Sequence, residues 1–136
     1  MPEIHTLANY HCVCGENPLW NDRDGQIYWE DIPPGKLFRA DPRTGQHECF
    51  FKSNSPIGGF TFQEDDSLLL FQDDKIARLD AGGKYAILKD KIDPVMSRFN
   101  DVIADPEGRV LAGTMSADPL AGGLYRVERD FSITKL

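Results

Sequence analysis

A repeat of about forty residues runs three times along this 136-residue chain. Each copy begins with a short strand, breaks at an acidic turn and resumes in an apolar second strand, reading QIYW, SLLLF and RVLAGT. A third strand follows (KLFRAD, KIARLD, GLYRVE), and another turn leads to a fourth (HECFF, YAILK, SITKL). Four short strands per repeat of this length are typical of a β-propeller blade.

The strand compositions predict an all-β fold. The strands are rich in Ile, Leu, Val, Tyr and Phe and are bounded by Asp, Gly and Pro, which indicates an antiparallel meander. We therefore predict one partial β-propeller domain over residues 1–136, with three four-stranded blades at approximately 12–52, 56–90 and 97–136. Propellers close with about four to eight blades, so three blades predict part of a ring, such as half of a six-bladed one. A second copy or a complementary chain could complete it.

Charge and hydropathy exclude several classes of partner. The net charge is −7 and the 15 Lys and Arg residues are scattered, which argues against binding to nucleic acid or to an anionic membrane surface. No apolar run approaches the roughly 20 residues that span a bilayer, and the first residues do not resemble a secretory signal, so we predict a cytoplasmic protein. Three cysteines, an odd number, predict reduced and buried thiols rather than a disulfide framework.

The repeat also aligns three positions near the start of each blade. Glu16, Gly58 and Asn100 fall at equivalent places, with the same spacing between successive members. Because the first strand of each propeller blade lines the central channel, this register predicts that Glu16 and Asn100 face each other across it, with Gly58 leaving space between them. Period-two alternation then places Arg98 on the same face as Asn100.

Such a cluster would suit a cation and a polar ligand. A carboxylate and an amide oxygen are hard ligands for Ca²⁺, Mg²⁺ or Mn²⁺, and a carboxylate also suits Zn²⁺. Arg98 would add a fixed positive charge and several donors for a hydroxylated or oxyanionic molecule. An equally weighted interpretation is that Asn100 and Asp101 merely cap the turn before a strand and that Glu16 is solvated.

Three motifs connect the chain to a known family. CVCGENPLW, then IYWEDIPPGKLFRADPRTG, then RFNDVIADPEGRVLAGTM resemble the N-terminal half of the regucalcin (senescence marker protein) and gluconolactonase family in order and spacing. The resemblance implies a six-bladed propeller with one divalent cation on its axis, and hydrolysis of sugar lactones.

The resemblance also implies roles for individual residues. Glu16 would ligate the metal, with Asn100 beside the ion, and Arg98 and Asn100 would contact the substrate. Asp118, after the AGTM strand, would bind the sugar hydroxyls. Asn17 stands where the family usually has a glycine. The family takes a further asparagine ligand, and an aspartate that is both ligand and general base, from later blades, so no catalytic residue is named in this chain.

The resulting functional hypothesis is a metal-dependent, gluconolactonase-like hydrolase that opens a small sugar lactone through a metal-activated water. Its cofactor would be one divalent cation, either Ca²⁺, Zn²⁺, Mn²⁺ or Mg²⁺. Two alternatives stay open. One is a cytosolic calcium-binding or regulatory protein without turnover, and the other is an inert half-propeller that needs pairing.

Overall fold

The computed structural model describes residues 1–118 and 120–136, and the regular structure in these residues consists of β-strands. The strands in chain order are β1 (Gly15–Asn21), β2 (Gln26–Asp31), β3 (Lys36–Ala40), β4 (His47–Lys52), β5 (Phe60–Phe62), β6 (Leu68–Phe71), β7 (Ile76–Leu79), β8 (Tyr85–Lys89), β9 (Arg98–Ala104), β10 (Val110–Met115), β11 (Leu124–Val127) and β12 (Ile133–Lys135).

These strands form three four-stranded antiparallel sheets, each a simple meander of consecutive strands. The sheets are β1–β4, β5–β8 and β9–β12. The predicted all-β fold with three four-stranded blades is therefore confirmed, while the grouping of all 136 residues into one domain stays a prediction.

The acidic residues between strands act as turn formers. Asp105 Oδ1 accepts hydrogen bonds from the backbone N–H groups of Glu107 and Arg109, each at 2.9 Å, while Gly108 adopts a φ of 76°. In the second blade, Asp65 accepts a hydrogen bond from the backbone N–H of Ser67 at 3.1 Å. Asp and Asn side chains commonly close turns in this way. Part of the negative charge of the chain is thus explained by its hairpins.

The middle blade is buried on both faces. Successive residues of β6 alternate between two apolar clusters, because side chains on a strand point to opposite faces in turn. Leu68 and Leu70 pack against the first blade in a cluster with Tyr28, whereas Leu69 and Phe71 pack against the third. A continuous apolar run, rather than polar and apolar alternation, follows from this position between two sheets.

The first strands of the three blades are neighbours in the order β1, β5, β9. Asn17 Oδ1 of β1 accepts a hydrogen bond from the backbone N–H of Phe60 in β5 at 3.0 Å. Gly58, just before β5, lies against the backbone of Phe99 in β9, so closely that a Cβ atom there would be 1.8 Å from the Phe99 carbonyl oxygen.

Asn17 performs two tasks that substitutions can separate. Its φ is 51°, a conformation that Asn and Gly tolerate and alanine does not, and its side chain links the first two blades. Asn17→Gly should lose about 1 kcal/mol of the free energy of unfolding, because only the hydrogen bond disappears. Asn17→Ala should lose about 2 kcal/mol or more, because the backbone is strained as well. Urea unfolding of both variants checks this, and equal stability of Asn17→Gly and the wild type would contradict a stabilising link to Phe60.

Asp93, in the segment before β9, anchors the outer strands of the third blade. Its carboxylate accepts hydrogen bonds from the Tyr125 hydroxyl, from the backbone N–H of Val95 at 3.0 Å and from Lys135 Nζ at 2.9 Å. These partners, the Tyr125 hydrogen bond first, lower the pKa of Asp93 to about 2.

Stability should therefore depend on the charge of Asp93. A carboxyl whose pKa is lower in the folded state stabilises the protein above its unfolded pKa, near 3.8, and this stabilisation is lost as the pH falls through about 2. Asp93→Asn should lower Tm at pH 7, and its difference from the wild type should shrink between pH 4 and pH 2. Thermal unfolding across this range checks the prediction, with Asp90→Asn, an exposed carboxylate nearby, as the control. A difference that does not change with pH would contradict it.

The prediction that all three thiols are buried is wrong for Cys49, which is exposed, while Cys12 and Cys14 are half-buried. Within the residues that the structure describes, no helix is long and apolar enough to cross a membrane.

Candidate functional site

Two glutamates face each other at the start of the first blade. In the antiparallel pairing of β1 with β2, Glu16 lies directly opposite Glu30, and residues so paired project their side chains from the same face. Glu16 is exposed, whereas Glu30 is fully buried, with a relative exposure of 0%. Glu16 was predicted from the sequence as a site residue, whereas Glu30 was not.

The Glu30 carboxyl is unusual for a buried group. Neither of its oxygens has a hydrogen-bond partner among the described residues. The pKa of Glu30 is raised to about 8, mainly by burial, with the charges of Glu16 and Asp101 adding to the rise and that of Arg98 opposing it. A carboxyl of the first blade is therefore within electrostatic reach of two side chains of β9 in the third blade. Glu16 of β1 and the pair Arg98 and Asp101 of β9 therefore act on the same carboxyl, while the convergence of Glu16 with Asn100 stays a prediction.

A β-bulge interrupts each of the two strands that carry predicted site residues. In β9, Phe99 and Asp101 pair with successive residues of β10, which leaves Asn100 as the extra residue. In β1, the register shifts between Glu16 and Leu19, immediately after the glutamate. Bulges are common next to active sites because they redirect side chains.

The bulge in β9 also changes the faces that simple alternation predicts. Phe99 and Val102 are both buried although they are three positions apart, and Asn100 and Asp101 between them are both exposed. Asn100 and Asp101 lie inside the strand rather than before it, so they do not cap the preceding turn. Arg98, half-buried at the start of β9, donates a hydrogen bond from Nη1 to the Phe99 carbonyl at 2.9 Å, which uses one of its five N–H donors.

Asp118 lies apart from this group in the turn after β10. It is exposed, its carboxylate accepts a hydrogen bond from the backbone N–H of Leu120 at 2.9 Å, and its own N–H donates to Ser116 Oγ at 3.2 Å. Among the described residues, the hydrogen bonds of Asp118 stay within this turn. Asp118 therefore makes no hydrogen bond to Arg98 or Asn100 in the described part of the chain.

The donor types in this region suit a hard divalent cation. Glu16, Glu30 and Asp101 offer carboxylate oxygens, and Asn100 offers an amide oxygen, which is the ligand chemistry of Ca²⁺, Mg²⁺ and Mn²⁺. Among the described residues no donor, Arg98 included, hydrogen-bonds to either oxygen of Glu30. In residues 1–118 and 120–136, no three His, Cys, Asp or Glu side chains are placed to hold a metal by themselves. By donor type alone these residues fit a hard divalent cation.

Known proteins match this chain over almost its full length. Residues 14–136 match the family model described as SMP-30/Gluconolactonase/LRE-like region. The pentonolactonase XacC of Haloferax volcanii is 43% identical over 96% of this chain and 44% of its own length. The 6-deoxy-6-sulfogluconolactonase of Pseudomonas putida is 34% identical over 87% of this chain and 42% of its own length.

A solved structure shows the same fold. Regucalcin from Agrobacterium tumefaciens, a calcium-binding protein, superposes with a TM-score of 0.86 at 23% identity, over 96% of this chain and 45% of its own. The present chain thus spans less than half the length of each of these three proteins. Because the family model matches the sequence from residue 14 to residue 136, the chain belongs to the SMP-30/gluconolactonase/LRE-like family.

Proposed function

We propose that this chain is part of a hydrolase that opens small sugar lactones with the help of one divalent cation. Two of the relatives above are named lactonases, which supports the class of reaction. The observation that carries the proposal is the buried Glu30 carboxyl, which lies opposite Glu16 in the pairing of β1 with β2, has no hydrogen-bond partner among the described residues, and is acted on by charges of β9. Charges of two blades acting on one buried carboxyl support a shared polar site.

Each residue of the proposed site has a distinct task. Glu16 and Asn100 hold the cation through their oxygen atoms, the donor type that hard divalent cations prefer. Arg98 binds the carbonyl oxygen of the lactone, and Asp118 accepts hydrogen bonds from the sugar hydroxyls. For Asp118 this requires its turn to face the substrate, because its recorded hydrogen bonds in the structure are local.

The chemistry required is the addition of water to a carbonyl group. A bound divalent cation supplies Lewis-acid polarisation and lowers the pKa of a bound water. As the water oxygen bonds to the carbonyl carbon, negative charge develops on the carbonyl oxygen, where the Arg98 guanidinium donates hydrogen bonds. The water gives a proton to a general base as it adds, the bond between the carbonyl carbon and the ring oxygen then breaks, the ring oxygen takes a proton, and the acid formed releases its own proton to become an aldonate. The general base is predicted to be an aspartate of a later blade.

Removal and return of the metal tests this function. The purified protein is treated with a chelator, and acid release from glucono-δ-lactone and from a pentonolactone is followed against the spontaneous rate. Ca²⁺, Mg²⁺, Mn²⁺ and Zn²⁺ are then added in turn. We expect hydrolysis to fall to the spontaneous rate without metal and to return with at least one cation, and Glu16→Gln to need a higher concentration of it.

The same assay separates the alternatives. Cation binding without acid release above the spontaneous rate would replace the hydrolase with a cation-binding protein. Hydrolysis that survives chelation unchanged would overturn the metal dependence alone.

Closure of the propeller by a second copy is a separate proposal, which sedimentation tests, and a folded monomer would remove it. The cytoplasmic location stays a prediction.

A further inference from the structure

Glu30 is buried without the partners that buried polar groups ordinarily have. In native proteins the large majority of buried polar side chains are hydrogen-bonded. The chain follows this rule at Gln72, which is equally buried and donates to Ser53 Oγ at 2.6 Å and Ser55 Oγ at 3.0 Å, while its Oε1 accepts from the Tyr85 hydroxyl at 2.5 Å. Glu30 is the exception, because both carboxyl oxygens lack a partner among the described residues.

The surroundings of Glu30 increase the cost of its burial. Glu16 lies directly opposite it on the ladder, and like charges in that arrangement destabilise a sheet. Asp101 adds a third carboxyl, while Arg98 is the single positively charged group among the neighbours that act on Glu30. When all four groups are ionised, two negative charges are in excess. A divalent cation carries the charge that would balance them.

We propose that Glu30 is an oxygen ligand of the divalent cation held by Glu16 and Asn100. This inference rests on the cation site of the proposed function and adds to it a ligand from the second strand of the first blade. The cation takes the place of the missing hydrogen-bond donors, and the pairing of β1 with β2 presents both glutamates from the same face. Glu30 thus lowers the stability of the cation-free fold but strengthens cation binding, a trade of stability for function.

Replacing Glu30 should weaken cation binding, whereas an apolar replacement should not lower the Tm of the cation-free protein. Glu30→Gln keeps the shape of the side chain, and Glu30→Met replaces it with an apolar chain of similar length. Both variants should bind Ca²⁺ or Mn²⁺ at least about tenfold more weakly than the wild type in calorimetric titrations of metal-free protein. Without cation, Glu30→Met should show an equal or higher Tm, because a buried carboxyl without a partner has been removed. The rise in Tm on adding cation should shrink in both.

The controls separate a specific ligand from a general effect of charge. Glu64→Gln removes one negative charge from an exposed position in the turn between β5 and β6, and its cation affinity should equal that of the wild type. Far-ultraviolet circular dichroism establishes that each variant is folded. Wild-type cation affinity in both Glu30 variants would overturn the proposal, whatever their Tm, and leave Glu30 as a buried acid without a ligand.

Failure of this inference differs visibly from failure of the proposed function. If Glu16→Gln loses cation affinity while the Glu30 variants keep it, the cation site stands and only the role of Glu30 is wrong. If the wild-type protein binds none of the cations, both the role of Glu30 and the metal dependence of the proposed function are overturned. Acid release, measured separately, then decides whether hydrolysis itself remains.

Discussion

Replacing Gly58 with alanine should lower the free energy of unfolding by about 3 kcal/mol or more, because it forces the second and third blades apart. The added Cβ would lie 1.8 Å from the carbonyl oxygen of Phe99 and 2.4 Å from its carbonyl carbon. Both are backbone atoms of β9, so they cannot rotate away as a flexible side chain would. Gly58 is also held in place by its own N–H, which donates to the Phe71 carbonyl at 2.7 Å.

Gly113→Ala is the matched control for this substitution. Gly113 lies in β10 of the third blade, and the nearest atom to an added Cβ is the Asp101 carbonyl oxygen at an ordinary contact distance of 3.7 Å. Its stability should change by no more than about 0.5–1 kcal/mol. Urea unfolding followed by tryptophan fluorescence measures both variants. If the Gly58→Ala variant unfolds at the wild-type urea concentration, the close approach of β5 and β9 does not exist in solution.

The architecture was predictable because local and global signals agree along this chain. Several hairpins are encoded by a short acidic turn such as that of Asp105 to Gly108, and several strands by an apolar run such as Leu68–Phe71. The register of the repeat predicted the equivalence of Gly58 and Asn100, although not the reason for the glycine. The sequence suggested open space on the axis, whereas in the structure the backbone of Phe99 occupies the place of a side chain.

The site was less predictable because it depends on departures from regular strands. Strict alternation placed Arg98 and Asn100 on one face, but the bulge at Asn100 also exposes Asp101. A one-residue bulge leaves no reliable mark in a short strand, so the sequence could not reveal it. The prediction that Asp118 binds the substrate came from the resemblance of motifs. The orientation of its side chain depends on a turn whose geometry the motif does not determine.

Glu30 was missed because a polar residue in a strand ordinarily faces solvent. One signal was available: Glu30 is two positions after Tyr28, so alternation places both on the face that packs against the second blade. A carboxyl on a buried face requires a partner, and the sequence contains no arginine or lysine at the positions that β2 pairs with in β1. Combining alternation with strand pairing would have identified it as a candidate site residue.

Arg98→Ala should reduce kcat/KM for lactone hydrolysis by at least about 100-fold, while leaving cation affinity within about threefold of the wild type. The guanidinium provides hydrogen bonds where negative charge develops on the carbonyl oxygen, and alanine provides none. Arg98→Lys should recover part of the loss, because it restores the charge but not the planar arrangement of donors. Initial rates of acid release and calorimetric titration with the cation measure the two quantities.

Arg126→Ala provides the control. Arg126 is a half-buried arginine of β11 in the same blade, and it forms an ion pair at 2.6 Å with Glu128, just after that strand. It should hydrolyse lactones at the wild-type rate. The result that would contradict the assignment is a collapse of cation affinity in Arg98→Ala. Arg98 would then act on the ligands, for example by fixing the backbone at Phe99 through its hydrogen bond there, and the developing charge on the lactone would need another donor.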